Sequence, residues 1–357
     1  MHLESLKIEG WRNLQKQTIG FSPRVNCLVG ENGQGKTNVL EALFFVVAGF
    51  SPRSAKSEQL INWSGNFFFM QGVFKENGQP FAVEMGVARD GRRVNKVNGS
   101  VIKRLSQLAG LLNAVFFMPE DLLLVKGSPS LRRRFMDIEL CQLSLTYRGS
   151  LSQYTKVLRE RNALLKQHKT DPVLLSVLTE SLVKEAIILT GKRREFIHRL
   201  NPLLRLAHRR LSGNREELQL TYKANLPSLE PDQVLSKFQE LAPSERGMKT
   251  TLLGPHRDDL DFDIHQANLK DFGSQGQQRT AVLALKLAEV ELFRAERGKY
   301  PLLLLDDVFS ELDSNRRQAL LVYLDGKIQT FITSTDVPPD ISRAKLLRVH
   351  AGLVREE

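Results

Sequence analysis

One stretch, Gly30-Glu31-Asn32-Gly33-Gln34-Gly35-Lys36-Thr37, constrains this chain more than any other, because it fits the phosphate-binding pattern G-x-x-x-x-G-K-[ST] at every fixed position. Val25 to Val29 before it read as a buried strand and Asn38 to Ala48 after it as a helix, which is the context the pattern requires. Glycines in the loop let backbone N–H groups curl around a di- or triphosphate, and the following helix presents its positive dipole end. Gly30, Asn32, Gly33, Gly35, Lys36, Thr37 and Asn38 are therefore the candidate nucleotide contacts. Lys36 reaches the β/γ oxygens and Thr37 ligands Mg²⁺. The helix is apolar on nearly every side (Val39, Leu40, Ala42, Leu43, Phe44, Phe45, Val46, Val47), so it is expected to lie buried against a sheet.

Residues Leu3 to Glu9 alternate apolar and polar, which predicts an edge or half-buried strand. Between Phe67 and Val101 the turn dipeptides Asn77-Gly78, Asp90-Gly91 and Asn98-Gly99 separate short β-favouring runs, the pattern of an antiparallel meander. Helical spacing takes over near Ser128-Pro129-Ser130 and persists to about Gly213, with Asp171-Pro172 reading as an N-cap and first-turn proline. Beyond it, Glu217 to Tyr222 reads as a strand, Asp232 to Leu241 as a short helix, and Thr251 to Ile264 as a strand pair broken by Gly254-Pro255. A long helix follows Gly273-Ser274 and ends near Gly298. Leu302 to Leu305 reads as a central buried strand, Gln318 to Leu324 as a helix and Ile328 to Ile332 as a further strand. The expected organisation is α/β: a P-loop NTPase core with an antiparallel side sheet, interrupted by a mainly helical arm. Its boundaries are 1–125 and 246–357 for the two parts of the head and 126–245 for the arm.

The net charge of +11 and pI near 9.7 point to a polyanionic partner, nucleic acid or an anionic membrane surface. From Ser130 to Arg215 there are eighteen Lys and Arg against seven Asp and Glu, so the whole excess sits in the helical segment. Single runs such as Arg132-Arg133-Arg134, Lys192-Arg193-Arg194 and Arg209-Arg210 could each be a solvated helix face. Together they favour a nucleic-acid surface, with Arg132, Arg133, Arg134, Lys192, Arg193 and Arg194 as candidate DNA contacts. Cys27 and Cys141 are expected to be buried free thiols. No run of apolar residues approaches a membrane span, and the chain reads as soluble and cytoplasmic.

Leu302 to Leu305 runs into Asp306-Asp307, an apolar strand ending in two carboxylates, as a Mg²⁺-holding acid beside a P-loop requires. Asp306 is placed to hold the Mg²⁺ shell and Asp307 to orient or deprotonate the attacking water, so Lys36, Asp306 and Asp307 are the catalytic candidates. Phe272-Gly273-Ser274-Gln275-Gly276-Gln277-Gln278-Arg279 opens a helix about thirty residues before Asp306 and resembles the signature motif of ABC-type ATPases. The resemblance implies that Ser274, Gly276 and Gln277 contact the nucleotide held by a second subunit, the meeting of a helix N-terminus with an anion. Ser310-Glu311-Leu312-Asp313 resembles the loop that communicates across such a dimer. Thr333-Ser334-Thr335 stands where ABC transporters carry a switch histidine, which is missing here.

Over nearly its full length the chain resembles the RecF family, bacterial recombination-repair ATPases related to SMC heads. Beside the nucleotide motifs, the resemblance rests on Trp11-Arg12-Asn13-Leu14, Pro119-Glu120-Asp121-Leu122, Val125-Lys126-Gly127-Ser128-Pro129 and Gly254-Pro255-His256-Arg257-Asp258-Asp259-Leu260. It adds Arg12 and Asn13 as nucleotide contacts, and leaves the Mg²⁺-sensing residue of the Phe117-Met118-Pro119-Glu120 region and the roles of His256 and Arg257 unassigned. It implies ATP and Mg²⁺ as cofactors and an ATP-driven homodimer that clamps DNA at single-strand gaps or duplex junctions. It further implies slow, DNA-stimulated hydrolysis that releases the clamp, with RecR and RecO as partners, RecA loaded indirectly and the nucleoid as the place of work. A transporter ATPase subunit is disfavoured by the missing histidine and the internal basic segment. An SMC-like head with a long coiled coil is disfavoured because only 270 positions, without heptads, separate Lys36 from Asp306. A module that uses ATP only as a structural ligand is left to a measurement of phosphate release.

Overall fold

The computed structural model describes residues 1–54, 56–102, 112–169, 171–213, 216–324, 326–337 and 343–357, without the side chains of residues 311, 314 and 315. The chain divides into two compact units, Met1–Leu122 with Val282–Glu357, and Leu123–Ala281. In the first unit, six strands form a sheet in the order Leu353–Glu356, Lys345–His350, Val25–Val29, Thr330–Ser334, Leu302–Leu305, Ala114–Phe117. All neighbours are parallel except the C-terminal hairpin. The runs Leu302–Leu305 and Ala114–Phe117 are buried at every residue, which suits the unbroken apolar run expected at the first; the second is a strand the sequence reading did not include. Leu302–Leu305 is fully buried and interior, one strand in from the edge, with Ala114–Phe117 pairing beyond it.

The expected meander is present as a second, antiparallel six-stranded sheet in the order Gln17–Gly20, His2–Glu9, Phe67–Glu76, Gln79–Ala88, Arg93–Val97, Ser100–Val101. Asn77-Gly78 and Asn98-Gly99 supply consecutive positive φ values (50° and 82°, 49° and 79°), as two-residue hairpin turns require. The P-loop helix, Lys36–Ala48, packs against strands of both sheets, so eleven of its thirteen residues are buried. Trp11 seals its flank edge-on to Phe45 and Phe68, with centroids 5.1 and 4.9 Å away.

The second unit carries the helices Pro129–Leu143, Leu145–Leu165, Pro172–Ser212 and Pro231–Met248 and a three-stranded antiparallel sheet, Ala267–Asn268, Asp259–Ile264, Leu218–Lys223. It contains the segment expected as a helical arm and runs on to Ala281. The Asp171 carboxylate caps the 41-residue helix by accepting from the amides of Val173 (2.9 Å) and Leu174 (3.2 Å), and Gly213 at φ 68° ends it. Only the second half of the Thr251–Ile264 stretch is a strand. Thr251 to Asp258 runs instead as a loop with a 3-10 turn at Pro255–Arg257, because Pro255 has no amide to give a ladder and its carbonyl accepts from the buried Arg193 (2.7 Å). No helix among the described residues is long and apolar enough to cross a membrane. Cys27 and Cys141 are buried free thiols, and burial pushes them up to about 11 and about 12.

Candidate nucleotide site

The carboxyl ends of Val25–Val29, Thr330–Ser334 and Leu302–Leu305 lie together, and the P-loop leaves the sheet there. Gly30 is required by packing: a Cβ would stand 2.3 Å from the Val349 carbonyl oxygen. Gly35 is required by conformation, at φ 111°, and its missing Cβ leaves room for the Asn13 side chain. The loop is tied to the C-terminal hairpin, whose Ala351 amide donates to Gln34 Oε1 (2.6 Å) and whose Gly352 amide donates to the Gln34 carbonyl (3.1 Å). Lys36 Nζ folds back to the carbonyls of Gly30 and Glu31, at 2.9 Å for the latter. Burial lowers the Lys36 pKa, and the charges of Asp307 and Asp306 oppose that shift. Asn32 and Gly33 at the loop tip are exposed. Asn13 reaches the loop, with Nδ2 3.4 Å from the Gly33 carbonyl and Oδ1 accepting from Asn38 Nδ2 at 2.8 Å.

Thr37 opens the helix and its hydroxyl donates to Asp306 Oδ1 at 3.0 Å, so residues 269 positions apart meet at one point. Burial raises the Asp306 pKa, against the hydrogen bonds from Thr333 and Thr37. A hydroxyl and a carboxylate side by side, next to a phosphate loop, are the hard oxygen donors a Mg²⁺ ion takes. The donor set fits the ion, and Thr37 and Asp306 are the residues that would hold it. Asp307 follows in a left-handed conformation, φ 51°, with its side chain partly exposed.

Two parts of this site escaped sequence reasoning. Thr333 donates to Asp306 Oδ1 (2.7 Å) and accepts from the Asp307 amide (2.8 Å). The signal was the Thr333-Ser334-Thr335 string, whose interest lay in a missing histidine. Glu41, fully buried on the P-loop helix, gathers Arg12, Arg53 and Ser51. Arg12, expected as a nucleotide contact, is held in this cluster. Its guanidinium is committed to Glu41 (3.0 and 2.8 Å), Ser54 (2.7 Å) and the Gln59 carbonyl (3.4 Å). Arg53 is near enough for its charge to oppose the rise in the Asp306 pKa.

In the second unit, Ser274 and Gln277 form a reciprocal cap on the helix Gln275–Arg297. The Gln277 amide donates to Ser274 Oγ (3.2 Å) and the Ser274 amide to Gln277 Oε1 (2.8 Å). Ser274 is exposed, Gly276 partly so, and Phe272 just before them is 78% exposed. In the Ser310–Asp313 stretch, the Glu311 side chain lies outside the described residues.

The basic candidates divide sharply, and two of them need correction. Arg132 is 4% exposed and forms a two-pronged pair with Asp259 (2.7 and 3.0 Å). Arg193 is 2% exposed and holds Asp258 (2.8 Å), Asp137 (2.7 Å) and the Tyr147 hydroxyl (2.9 Å). Neither faces DNA, because a buried guanidinium needs carboxylates around it. Arg133 is half-buried with Nη1 on the Asp258 carbonyl (2.8 Å), Lys192 pairs with Glu195 (2.7 Å), and Arg134 and Arg194 are exposed. His256, whose Nδ1 lies 2.6 Å from the Tyr154 hydroxyl, is held down to about 4 by burial, so the loop that follows Thr251 carries it neutral.

A parallel core with a P-loop and paired acids, an antiparallel side sheet and a capped signature helix together define an ABC-type ATPase head. Residues 2–349 match the RecF/RecN/SMC N terminal domain family, and an SMC head bound to the winged-helix domain of ScpA shares the fold (TM-score 0.57, 16% identity, covering 100% of this chain and 97% of that one). Within that class the chain belongs to the RecF family. It is 43% identical over 370 residues to the DNA replication and repair protein RecF of Listeria monocytogenes serotype 4b, covering 100% of both. It also superposes on the solved recombination mediator protein RecF-ATPrS of the RecFOR pathway with a TM-score of 0.92 at 31% identity, covering 99% of this chain and 98% of that one.

Proposed function

We propose that this chain is an ATP-dependent DNA-binding protein of replication and recombinational repair, working as a weak, Mg²⁺-dependent, DNA-stimulated ATPase. The observation that carries the reading is the meeting of Thr37 and Asp306 at 3.0 Å beside the Lys36 loop. Mg²⁺, when bound with ATP, supplies charge neutralisation at the β- and γ-phosphate oxygens. The chain's own groups do the rest: loop amides and Lys36 bind the phosphates, Thr37 and Asp306 hold the ion, and Asp307 orients water. ATP binding draws two copies into a clamp on gapped or junction DNA, with Ser274, Gly276 and Gln277 of each copy closing the site of the other. The exposed cap at Ser274 and the exposed Phe272 beside it support a surface kept for such a partner. Hydrolysis releases the clamp, which acts with RecO and RecR in assisting RecA, at the cytoplasmic nucleoid. The structures of relatives described as RecF-ATP and RecF-ATPrS support ATP as the nucleotide.

Steady-state phosphate release with and without DNA tests the enzymatic reading. Asp307→Asn is expected to lower the rate by about 10²-fold, the effect of losing a positioned base, and wild-type release no faster than this variant would refute ATPase activity. For DNA, removing the charges of Arg134, Lys192 and Arg194 together is expected to flatten the salt dependence of binding. The log–log slope should fall by roughly one for each phosphate that is no longer neutralised. An unaltered slope moves the DNA-binding surface to other basic residues.

A further inference from the structure

The geometry points to Thr333 as the positioning residue of the acid pair, setting where Asp307 stands relative to Asp306 and so governing the hydrolytic step rather than nucleotide capture. Its hydroxyl is fully buried and has no freedom of role. An amide can only donate, so the Asp307 N–H takes a lone pair of Thr333 Oγ1 (2.8 Å), and the single hydroxyl proton goes to Asp306 Oδ1 (2.7 Å). One atom thus links the side chain of the first acid to the backbone of the second. That backbone needs holding, because Asp307 lies at φ 51°, a conformation a non-glycine residue keeps only when its surroundings enforce it.

The fold supplies the hydroxyl by register. Leu305 pairs with Ile332 across the parallel ladder, so the next residue of each strand, Asp306 and Thr333, stand opposite one another. Thr37 also donates to Asp306 Oδ1, but from the P-loop helix and without touching Asp307, so it cannot fix the spacing between the acids. Thr335, two positions on, is exposed and bonds Asp336 (3.2 Å). The string that lacks the switch histidine therefore contributes through its buried first residue.

This inference rests on the ATPase reading, and its test keeps the two apart. In the full-length chain, Thr333→Val removes both hydrogen bonds at nearly constant volume, and Thr333→Ser keeps them. Three quantities are read: kcat and KM for phosphate release, affinity for a fluorescent ATP analogue in EDTA, and Mn²⁺ affinity with ADP by electron paramagnetic resonance. Thr333→Val is expected to lower kcat at least tenfold and weaken Mn²⁺ several-fold, with KM and metal-free ATP affinity within about twofold, while Thr333→Ser restores both. Wild-type kcat in Thr333→Val, loss of metal-free ATP binding along with the rate, unchanged Mn²⁺ affinity, or a serine variant no better than valine would each overturn it. If the wild type releases no phosphate above Asp307→Asn, the ATPase reading falls and the Mn²⁺ measurement alone decides the role of Thr333.

Discussion

Lys36→Ala is expected to abolish the proposed ATP-driven dimerisation, with light scattering of the variant remaining that of the nucleotide-free protein at ATP concentrations that saturate the wild type. Two effects combine. The ammonium is the side-chain cation that the motif places inside the loop, and a charge-assisted hydrogen bond to a phosphate is worth about 1.5–3 kcal/mol, roughly ten- to a hundred-fold in affinity. The same nitrogen now bonds the carbonyls of Gly30 and Glu31, which ties the start of the loop to the helix that follows it. Alanine leaves both carbonyls without that donor and the loop less fixed. Burial lowers the Lys36 pKa from 10.5, but Asp307 and Asp306 oppose the shift. Dimer formation at wild-type ATP concentrations would show that the loop does not drive assembly.

Arg193→Ala is expected to cost about 3–5 kcal/mol of stability, the usual effect of leaving a buried carboxylate without its partner. Asp258 is 0% exposed and would be left without the guanidinium that neutralises it, while Asp137, the Tyr147 hydroxyl and the Pro255 carbonyl would each give up a donor. Residual bonds from Tyr222 and the Asn225 amide do not neutralise it. The neighbouring Arg194→Ala, on the exposed side of the same helix, is expected to change stability by no more than about 0.5 kcal/mol. The urea midpoint of the two variants measures the contrast. Equal midpoints would mean that the Arg193 cluster is not a support of the second unit. The pair also guards the DNA experiment, since weakened binding in an Arg193 variant would report damaged structure and not the removal of a phosphate-binding charge.

The nucleotide half of the site was legible because its residues are close in sequence and each is dictated locally. Glycines at Gly30, Gly33 and Gly35, a lysine and a hydroxyl must follow one another for a loop to wrap a phosphate. The meander was legible for the same reason, since Asn-Gly turns announce themselves by the positive φ they require. The basic segment was misread in part. Charge along a helix says nothing of which face is covered, and consecutive residues such as Arg193 and Arg194 point about 100° apart. Arg193 went inward onto Asp258, 65 positions away, and no periodicity records such a pairing. The long helix Pro172–Ser212 was foreseen at its start, where Asp171 and Pro172 act locally, whereas its run through Pro202 reflects packing.

By itself the sequence determined the class of chemistry: a P-loop, a strand ending in two aspartates and a capped helix are short strings whose local backbone needs fix their residue types. Tertiary structure decided how those strings meet. Parallel pairing slides the strand Thr330–Ser334 between the P-loop strand and the acid-bearing strand, which sets Thr333 against Asp306 and Asp307 and makes a link of a threonine noted in the sequence only for the histidine missing from its string. Register between strands distant in sequence comes from burying both faces of a sheet at once, and that is a property of the packed core rather than of any one stretch.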